Sequence, residues 1–597
     1  MVKTGAAFGD YIRTGGFNRS EGGNLFTRKE AGMRDLLSIF LLIIFLIVFL
    51  IKLFFLQIIQ GRYYRGLSDI NRIKKIAIHS SRGIIFDRNG APLVFNIPGF
   101  RQKQSNKINF ISYKKALGII AKGENNLEID AMRQYPYKEI LSHVIGYIGQ
   151  ISREELDSDE FKSGYKLGDI IGKTGIEKQY ENILVGIDGK QLVEIDNDGA
   201  IIRKLGQSDP ISGQNITLSI DIKLQQVVFD AMKDVEKGAA IVMAPRGEVL
   251  ALVSKPTFDS NLFTMGEDYD HASDSVYSSV SEILEDNNNQ PLLNRAIGGI
   301  YPPGSTYKLI TAAVGLEKKI IDKDFEVIDN GFITLGNFSF ANWYYLEHGE
   351  KEGSINIERA ISRSNDIFFY KLAELIGVER LSEMSRKFGL GQKLGIDIPG
   401  EASGVVPDDA WKKKIIGEQW YLGDTYHYGI GQGYLLTTPL QVNLFTQAIA
   451  NKGIYYKPHI IKTEKPEQLS EGFLSNKTIE IIRNGMIGSC NAGGVAWPLF
   501  DFKVKNPKLK IDGKNIMEAV DSSASADIKD YRHISIACKT GTAQHGDDKT
   551  KPHAWITLFA PAYNPQIFIT VLAESGGQGS SIASPVAKKI LENWFTR

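Results

Sequence analysis

The run "LLSIFLLIIFLIVFLIKLFFL", Leu36 to Leu56, constrains this chain more than any other feature of it. Its roughly 21 residues would make a helix about 31 Å long, enough to span a bilayer, and only Ser38 and Lys52 interrupt it. Lys52 lies near one end, where its stem can carry the ammonium to the headgroups. A cleaved signal segment has a shorter apolar core and small residues at its cleavage site, and "KLFFLQIIQG" offers no such site. The segment therefore reads as an uncleaved single-pass anchor. Arg28, Lys29 and Arg34 before it are balanced by Lys52, Arg62, Arg65 and Arg72 after it, so basic residues alone assign no orientation.

The 597 residues exceed one ordinary domain, and a net charge of +1 with 23% charged residues gives no reason to expect a nucleic-acid partner. Cys490 and Cys538 are the only cysteines; two buried thiols are expected, with a single bridge as the alternative. Residues 1–35 are Gly-rich and polar and read as a tail. After the anchor, "IIFDRNGAPLVF" places a turn, Asp87 to Gly90, between apolar runs, as a hairpin does. Near Gly213 the texture changes: "QNITLSIDIKLQQVVFDAMKDV" reads as a strand and an amphipathic helix, and "GAAIVMAPRGEVLALVSKP" as two strands. The expected organisation is a tail (1–35), an anchor (36–56), a β-rich α+β region (57–205) and a large α/β domain (206–597). Polar stretches at 266–290 and 503–532 read as surface loops.

In "YPPGSTYKLITAAVGL", Tyr301 to Leu316, a helix apolar all round carries Ser305 and Lys308 on one face. A serine hydroxyl is a poor nucleophile without a base, and a desolvated lysine can serve as one. The spacing alone is weak: "SYKK", Ser112 to Lys115, repeats it in a polar context where the lysine would be solvated. A second element, "SRSNDIFFYKLAELIG", sets Ser364, Asn365 and Asp366 before an aromatic helix; alone it is a helix start with a capping serine. The third, "HISIACKTGTAQHG", is a strand carrying Lys539, Thr540, Gly541 and Thr542, with Cys538 on the face opposite Lys539. Such a strand edge can grip a carboxylate and lend an N–H to an oxyanion.

These three elements in this order resemble the penicillin-binding transpeptidases. "RGIIFDRNGAPL", "GKTGIEKQYENILVG", "PLLNRAIGGIYPPGSTYK", "GIGQGYLLTTPLQ" and "HAWITLFAP" narrow the likeness to class B, in the elongation-type penicillin-binding protein 2 group. The resemblance implies a multidomain protein: a single transmembrane helix, a pedestal and a transpeptidase domain. The pedestal is shortened between Phe100 and "MRQYPYKEILSHVIGY". The last domain would have an antiparallel sheet with helices on both faces plus an all-helical region.

The resemblance further implies a peptidoglycan D,D-transpeptidase with no cofactor. Ser305 would attack the carbonyl between two terminal D-alanines of a stem peptide, with Lys308 as base. Ser364 would shuttle protons, and Asp366 or Asn365 would face Lys308. Lys539, Thr540, Gly541 and Thr542 would hold the terminal carboxylate, Asn365 would bind substrate beside them, and the N–H groups of Ser305 and Thr542 would form the oxyanion hole. β-Lactams would acylate Ser305. Some relatives hold zinc near the second element; here Asn365 stands in the cysteine's place and Asn342 in an aspartate's, leaving His348 isolated, so no metal is expected. The expected location is the bacterial cytoplasmic membrane with the catalytic domain outside. Glycan polymerisation would fall to a separate SEDS-family glycosyltransferase. A division-type role, a membrane-anchored serine β-lactamase and a non-catalytic scaffold are the competing readings.

Overall fold

The apolar run is helical in the computed structural model: an α-helix over Met33–Phe54 continues through a π-helical turn at Phe55–Ile59. The structure describes residues 32–597 except 105–106, 112, 123–126, 159–160, 162–163, 197–199, 266–268, 270–274, 506–530 and 547–549. Nearly all of the tail, most of the loop expected at 503–532, and Ser112 thus fall outside the described residues. Every side chain of the anchor helix from Met33 to Ile51 is exposed, which suits a helix solvated by lipid rather than packed in a core.

The chain forms two compact units. The first, residues 32–76 and 191–207, contains the anchor, a helix at Gly61–Arg72 and most of a three-stranded sheet built from Ile73–Ile78, Gly189–Ile195 and Ile201–Ser208.

The second unit holds residues 77–190 and 208–597. Its N-terminal part is strand-rich. The expected hairpin joins Ile85–Phe86 to Pro92–Gln104, turning at Gly90 with φ 87° while the Asp87 carboxylate accepts the N–H groups of Asn89 and Ala91. Arg82, from the first of the pedestal stretches quoted above, reaches Glu177 at 2.9 Å and Glu181 at 2.8 Å in the second. Arg133 completes the cluster at 2.7 Å from Glu177. All four side chains are at most 10% exposed, so removing any one would strand a buried charge.

The C-terminal part is built on a five-stranded sheet. Its strands are β1 (Gly238–Met243), β2 (Val249–Lys255), β3 (Ala537–Ala543), β4 (His553–Ala560) and β5 (Ile567–Ala573), in the order β2-β1-β5-β4-β3, all antiparallel. β3 is an edge strand. The sheet is apolar on both faces because each face is covered. Ala240 and Val242 of β1 pack in one core with helices α1 (Ile222–Ala231) and α7 (Ala583–Thr596), and Ala239, Ile241 and Met243 face the other. On that second face lie α2 (Lys308–Glu317), α3 (Ile357–Arg363), α4 (Asp366–Ile376), α5 (Pro439–Ala450) and α6 (Asn476–Ser489).

One expectation is corrected. Cys490 and Cys538 are not two separate thiols but a disulfide, with Cα atoms 6.0 Å apart. Alternation along β3 turns Cys538 into the core of α1 and α7, where the C-terminal cap of α6 delivers Cys490.

Candidate active site

Ser305 lies in a short 3₁₀ turn, Gly304–Tyr307, that runs directly into α2. Every residue of α2 from Lys308 to Leu316 is buried, as its unbroken apolar surface requires. The turn is pinned from three sides. Trp555 of β4 donates its indole N–H to Pro302 O at 3.1 Å, Tyr301 exchanges backbone hydrogen bonds with Thr437, and Gly304 donates to Gly431 O at 2.8 Å. Gly431 has φ 76°, and a Cβ there would lie 2.2 Å from Gly304 O, so this crossing demands glycine. The Ser305 side chain is only partly buried and faces no hydrogen-bond partner among the described residues.

The turn rests on β3. A Cβ on Gly541 would meet Pro303 O at 3.1 Å and Thr306 Cγ2 at 3.2 Å, and one on Gly304 would meet Thr542 O at 3.1 Å. That close approach brings Ser305 beside Thr542, which is exposed, while Thr540 is nearly buried.

Four polar groups from four elements converge behind the serine. Lys308 Nζ donates to Asp366 Oδ1 at 2.6 Å and to Ser364 O at 2.7 Å, and lies 3.4 Å from Ser364 Oγ. Lys539 Nζ donates to the same Ser364 Oγ at 2.8 Å and to Thr540 O at 3.0 Å. Ser364 can present both its carbonyl and its hydroxyl because it caps α3 in the left-handed region, φ 56° and ψ 36°. That conformation costs a residue with a side chain about 1–2 kcal/mol, offset here by the bonds it makes possible.

Both lysines are fully buried. Burial pushes the Lys308 ammonium below its ordinary value, against the opposing pull of Asp366. Lys539 is pushed down much further, first by burial and then by the charge of Lys308, with Asp366 again opposing. Two ammoniums around one carboxylate are mutually unfavourable, so the arrangement favours a neutral lysine beside a shared hydroxyl.

The ambiguity between Asp366 and Asn365 is resolved by contacts. Asp366 faces Lys308, held by the Trp343 N–H at 2.9 Å on its other oxygen and by Asn342 Oδ1 on its own N–H at 3.1 Å. Asn365, expected to bind substrate, is instead fully buried and points the other way. Its carbonyl oxygen caps α4 at Phe368, and its amide donates to Asp329 at 2.7 Å and Glu352 at 2.8 Å. Asn342 donates to the same Asp329 oxygen at 2.7 Å, and Arg363 neutralises Glu352 at 2.5 Å. Amides and carboxylates thus tie the loop before α4 to residues 329–352. His348 stands apart, its ring 4.8 Å from that of Tyr344. Among the described residues no group of three or more His, Cys, Asp or Glu is arranged to hold a metal. At the decoy spacing Lys115 is exposed, in contrast to Lys308.

Motif reading missed Trp343, Trp555 and Glu352. Trp343 holds Asp366 through its backbone and donates its indole N–H to Arg363 O at 3.1 Å, contacts that leave no motif; Trp555 sits within "HAWITLFAP", where an indole in a buried strand is the available signal.

Residues 238–592 match the penicillin binding protein transpeptidase domain and residues 102–218 the penicillin-binding protein dimerisation domain. A peptidoglycan D,D-transpeptidase MrdA of Acinetobacter baumannii is 33% identical, over 91% of this chain and 84% of that protein. The MrdA of Escherichia coli K12 is 32% identical over 91% and 90%. Among solved structures, a Pseudomonas aeruginosa PBP2 in complex with WCK 5153 superposes with a TM-score of 0.65 at 33% identity, covering 87% of this chain and 96% of that one. A Helicobacter pylori PBP2 in complex with MreC gives 0.69 at 29%, covering 87% and 98%. Together with the converging lysines and serines, these matches show that the chain belongs to the penicillin-binding protein transpeptidases, in the PBP2 group.

Proposed function

We propose the following division of labour in the cross-linking of peptidoglycan. The protein is a serine-type D,D-transpeptidase of the elongation type and a β-lactam target, anchored in a membrane by one helix. Ser305 Oγ attacks the carbonyl carbon of the terminal D-Ala-D-Ala bond as its proton passes to Lys308. The N–H groups of Ser305 and Thr542 receive the oxyanion. D-Alanine leaves with a proton relayed through Ser364, and an amine of a second stem peptide then takes the acyl group, restoring the Ser305 hydroxyl. Asp366 orients Lys308. Lys539, Thr540, Gly541 and Thr542 hold the substrate's terminal carboxylate. The observation that carries this reading is the placement of Ser364 Oγ between two buried lysines of depressed basicity, 2.8 Å from one and 3.4 Å from the other.

Residues 57–205 serve as the pedestal and 206–597 as the transpeptidase domain; the family matches at 102–218 and 238–592 support two such parts, with the change falling between 218 and 238. The catalytic domain faces the extracytoplasmic side, where its substrate lies. Partners are proposed at two places: a SEDS-family glycosyltransferase to supply glycan, and, as in the Helicobacter pylori complex, an MreC-like protein. The exposed apolar side chains Tyr113, Leu117 and Ile120 on the helix Tyr113–Ala121 fit the second.

The test is labelling of the full chain with a fluorescent penicillin, followed by intact mass. A persistent covalent adduct, lost in Ser305→Ala, is expected. An adduct of equal yield in Ser305→Ala would remove the serine from its role, and rapid clearance would indicate a β-lactamase.

A further inference from the structure

We propose that the Cys490–Cys538 disulfide is a positioning element of the active site: it fixes β3, and through it Lys539, against the helix that presents Ser364. The proposal rests on the site assignment above.

Cys538 immediately precedes Lys539 on β3, and the two side chains leave the strand on opposite faces. β3 is the sheet's edge, hydrogen-bonded along one side to β4, and the face that carries Lys539 packs against the serine turn. An edge strand is held laterally by fewer backbone bonds than an interior one, so something else must set its distance from the helices. The disulfide supplies that tie. Cys490 caps α6, and α6 lies against α3 so closely that a Cβ on Gly485 would come within 2.7 Å of Ile361 Cβ, and one on Gly488 within 2.9 Å of Ser362 Oγ. Asn484 donates to Glu358 at 3.0 Å, and Arg363 to Gly493 O at 3.2 Å just past the cysteine. α3 ends at Ser364, whose hydroxyl accepts from Lys539.

A closed ring therefore runs from Lys539 through Cys538, Cys490, α6 and α3 to Ser364 and back to Lys539. Its closing contact is the 2.8 Å hydrogen bond, and one of its links is covalent. If the disulfide opens, β3 keeps its pairing with β4 but loses its fixed spacing from Ser364. Forming the link needs a thiol oxidant, which we assign to the class of disulfide-bearing oxidoreductases. Thiol–disulfide exchange passes two electrons and two protons from the cysteines to the donor, which leaves as a dithiol. The enzyme would then reach full activity only after that exchange.

The experiment uses the full chain in detergent. Thiols are counted before and after reduction, and acylation by fluorescent penicillin is timed across pH for oxidised, reduced and reoxidised wild type and for the double variant Cys490→Ala/Cys538→Ala, with thermal melts to confirm folding. We expect no free thiol before reduction and two after it. The folded reduced protein and the double variant should acylate between about tenfold and a hundredfold more slowly. The ascending limb of their pH profile, set by Lys308, should also be displaced, because Lys539 no longer shares the Ser364 hydroxyl with it at a fixed distance. Reoxidation should restore the rate in wild type only. A merely structural bond would lower the fraction of competent enzyme and leave the limb in place, which would overturn the proposal. So would two free thiols in native protein exposed to an oxidised disulfide donor, or equal rates with and without the bond. Absence of any adduct from the oxidised wild type would overturn the acyl-enzyme assignment itself, and this inference with it.

Discussion

At the residue scale the site is an arrangement of lysines made useful by burial. A solvated lysine is protonated near neutrality and is no base; Lys308 is displaced below the ordinary value of 10.5 by desolvation, and Asp366 opposes that displacement. Acylation should therefore rise with pH along a limb lying below that value. Asp366→Asn removes the opposing attraction, so the limb should move to lower pH while the maximal rate falls through loss of the 2.6 Å contact; a pH series of acylation rates reads both. Asn365→Ala should cost about 2–3 kcal/mol in a denaturant melt, since it deletes a helix cap and leaves two buried carboxylate contacts unmade. Ser305, Lys308 and Lys539 were legible in the sequence because an all-apolar helix buries a lysine at a cost that only a polar neighbourhood offsets, and the serine one turn away and the later K-T-G strand supply one. Whether Asp366 or Asn365 faces the lysine was not. Adjacent residues at a helix start differ only in direction, and that direction is set by Asn342 and the Trp343 backbone, more than twenty residues earlier in the chain.

At the scale of elements, what matters is how closely backbones cross. The serine turn touches the loop after helix Leu422–Gly429 through Gly431 and touches β3 through Gly541. Gly431→Ala combines a left-handed backbone with a Cβ 2.2 Å from a carbonyl oxygen, and should destabilise by about 2 kcal/mol or more. The turn should also shift, so acylation should fall further than the melting temperature alone accounts for, a comparison that acylation and melting of the same sample provide. The hairpin at Asp87–Gly90, strands β1, β2 and β3 of the five-stranded sheet and the buried helix followed from residue pattern and turn chemistry, whereas β4 and β5 did not. The disulfide did not. Two cysteines separated by 48 residues carry no pairing signal, and their meeting depends on α6 and β3 lying together, a tertiary fact.

At the scale of the molecule, an anchor at one end and a catalytic domain at the other make location part of function. On the proposed orientation, protease added to intact, wall-stripped cells should digest the catalytic domain and leave it unable to bind penicillin; protection until the membrane is breached would reverse the orientation. The central sheet has a further consequence, one of timing. β1 and β2 are synthesised before the helical region, yet β1 pairs with β5, among the last parts of the chain to be made. Until β3, β4 and β5 arrive, the nascent domain exposes the apolar face and open edge of an unfinished sheet, the kind of long-range assembly that folds slowly and invites association with other chains. Ser305 and Lys308 have by then been made, but their turn still lacks Trp555 and the strand on which it rests. Synthesis thus delivers Ser305 and Lys308 well before the strand that brings Lys539 to them, and on the proposed mechanism a newly made molecule is inert until its final segments have been threaded home.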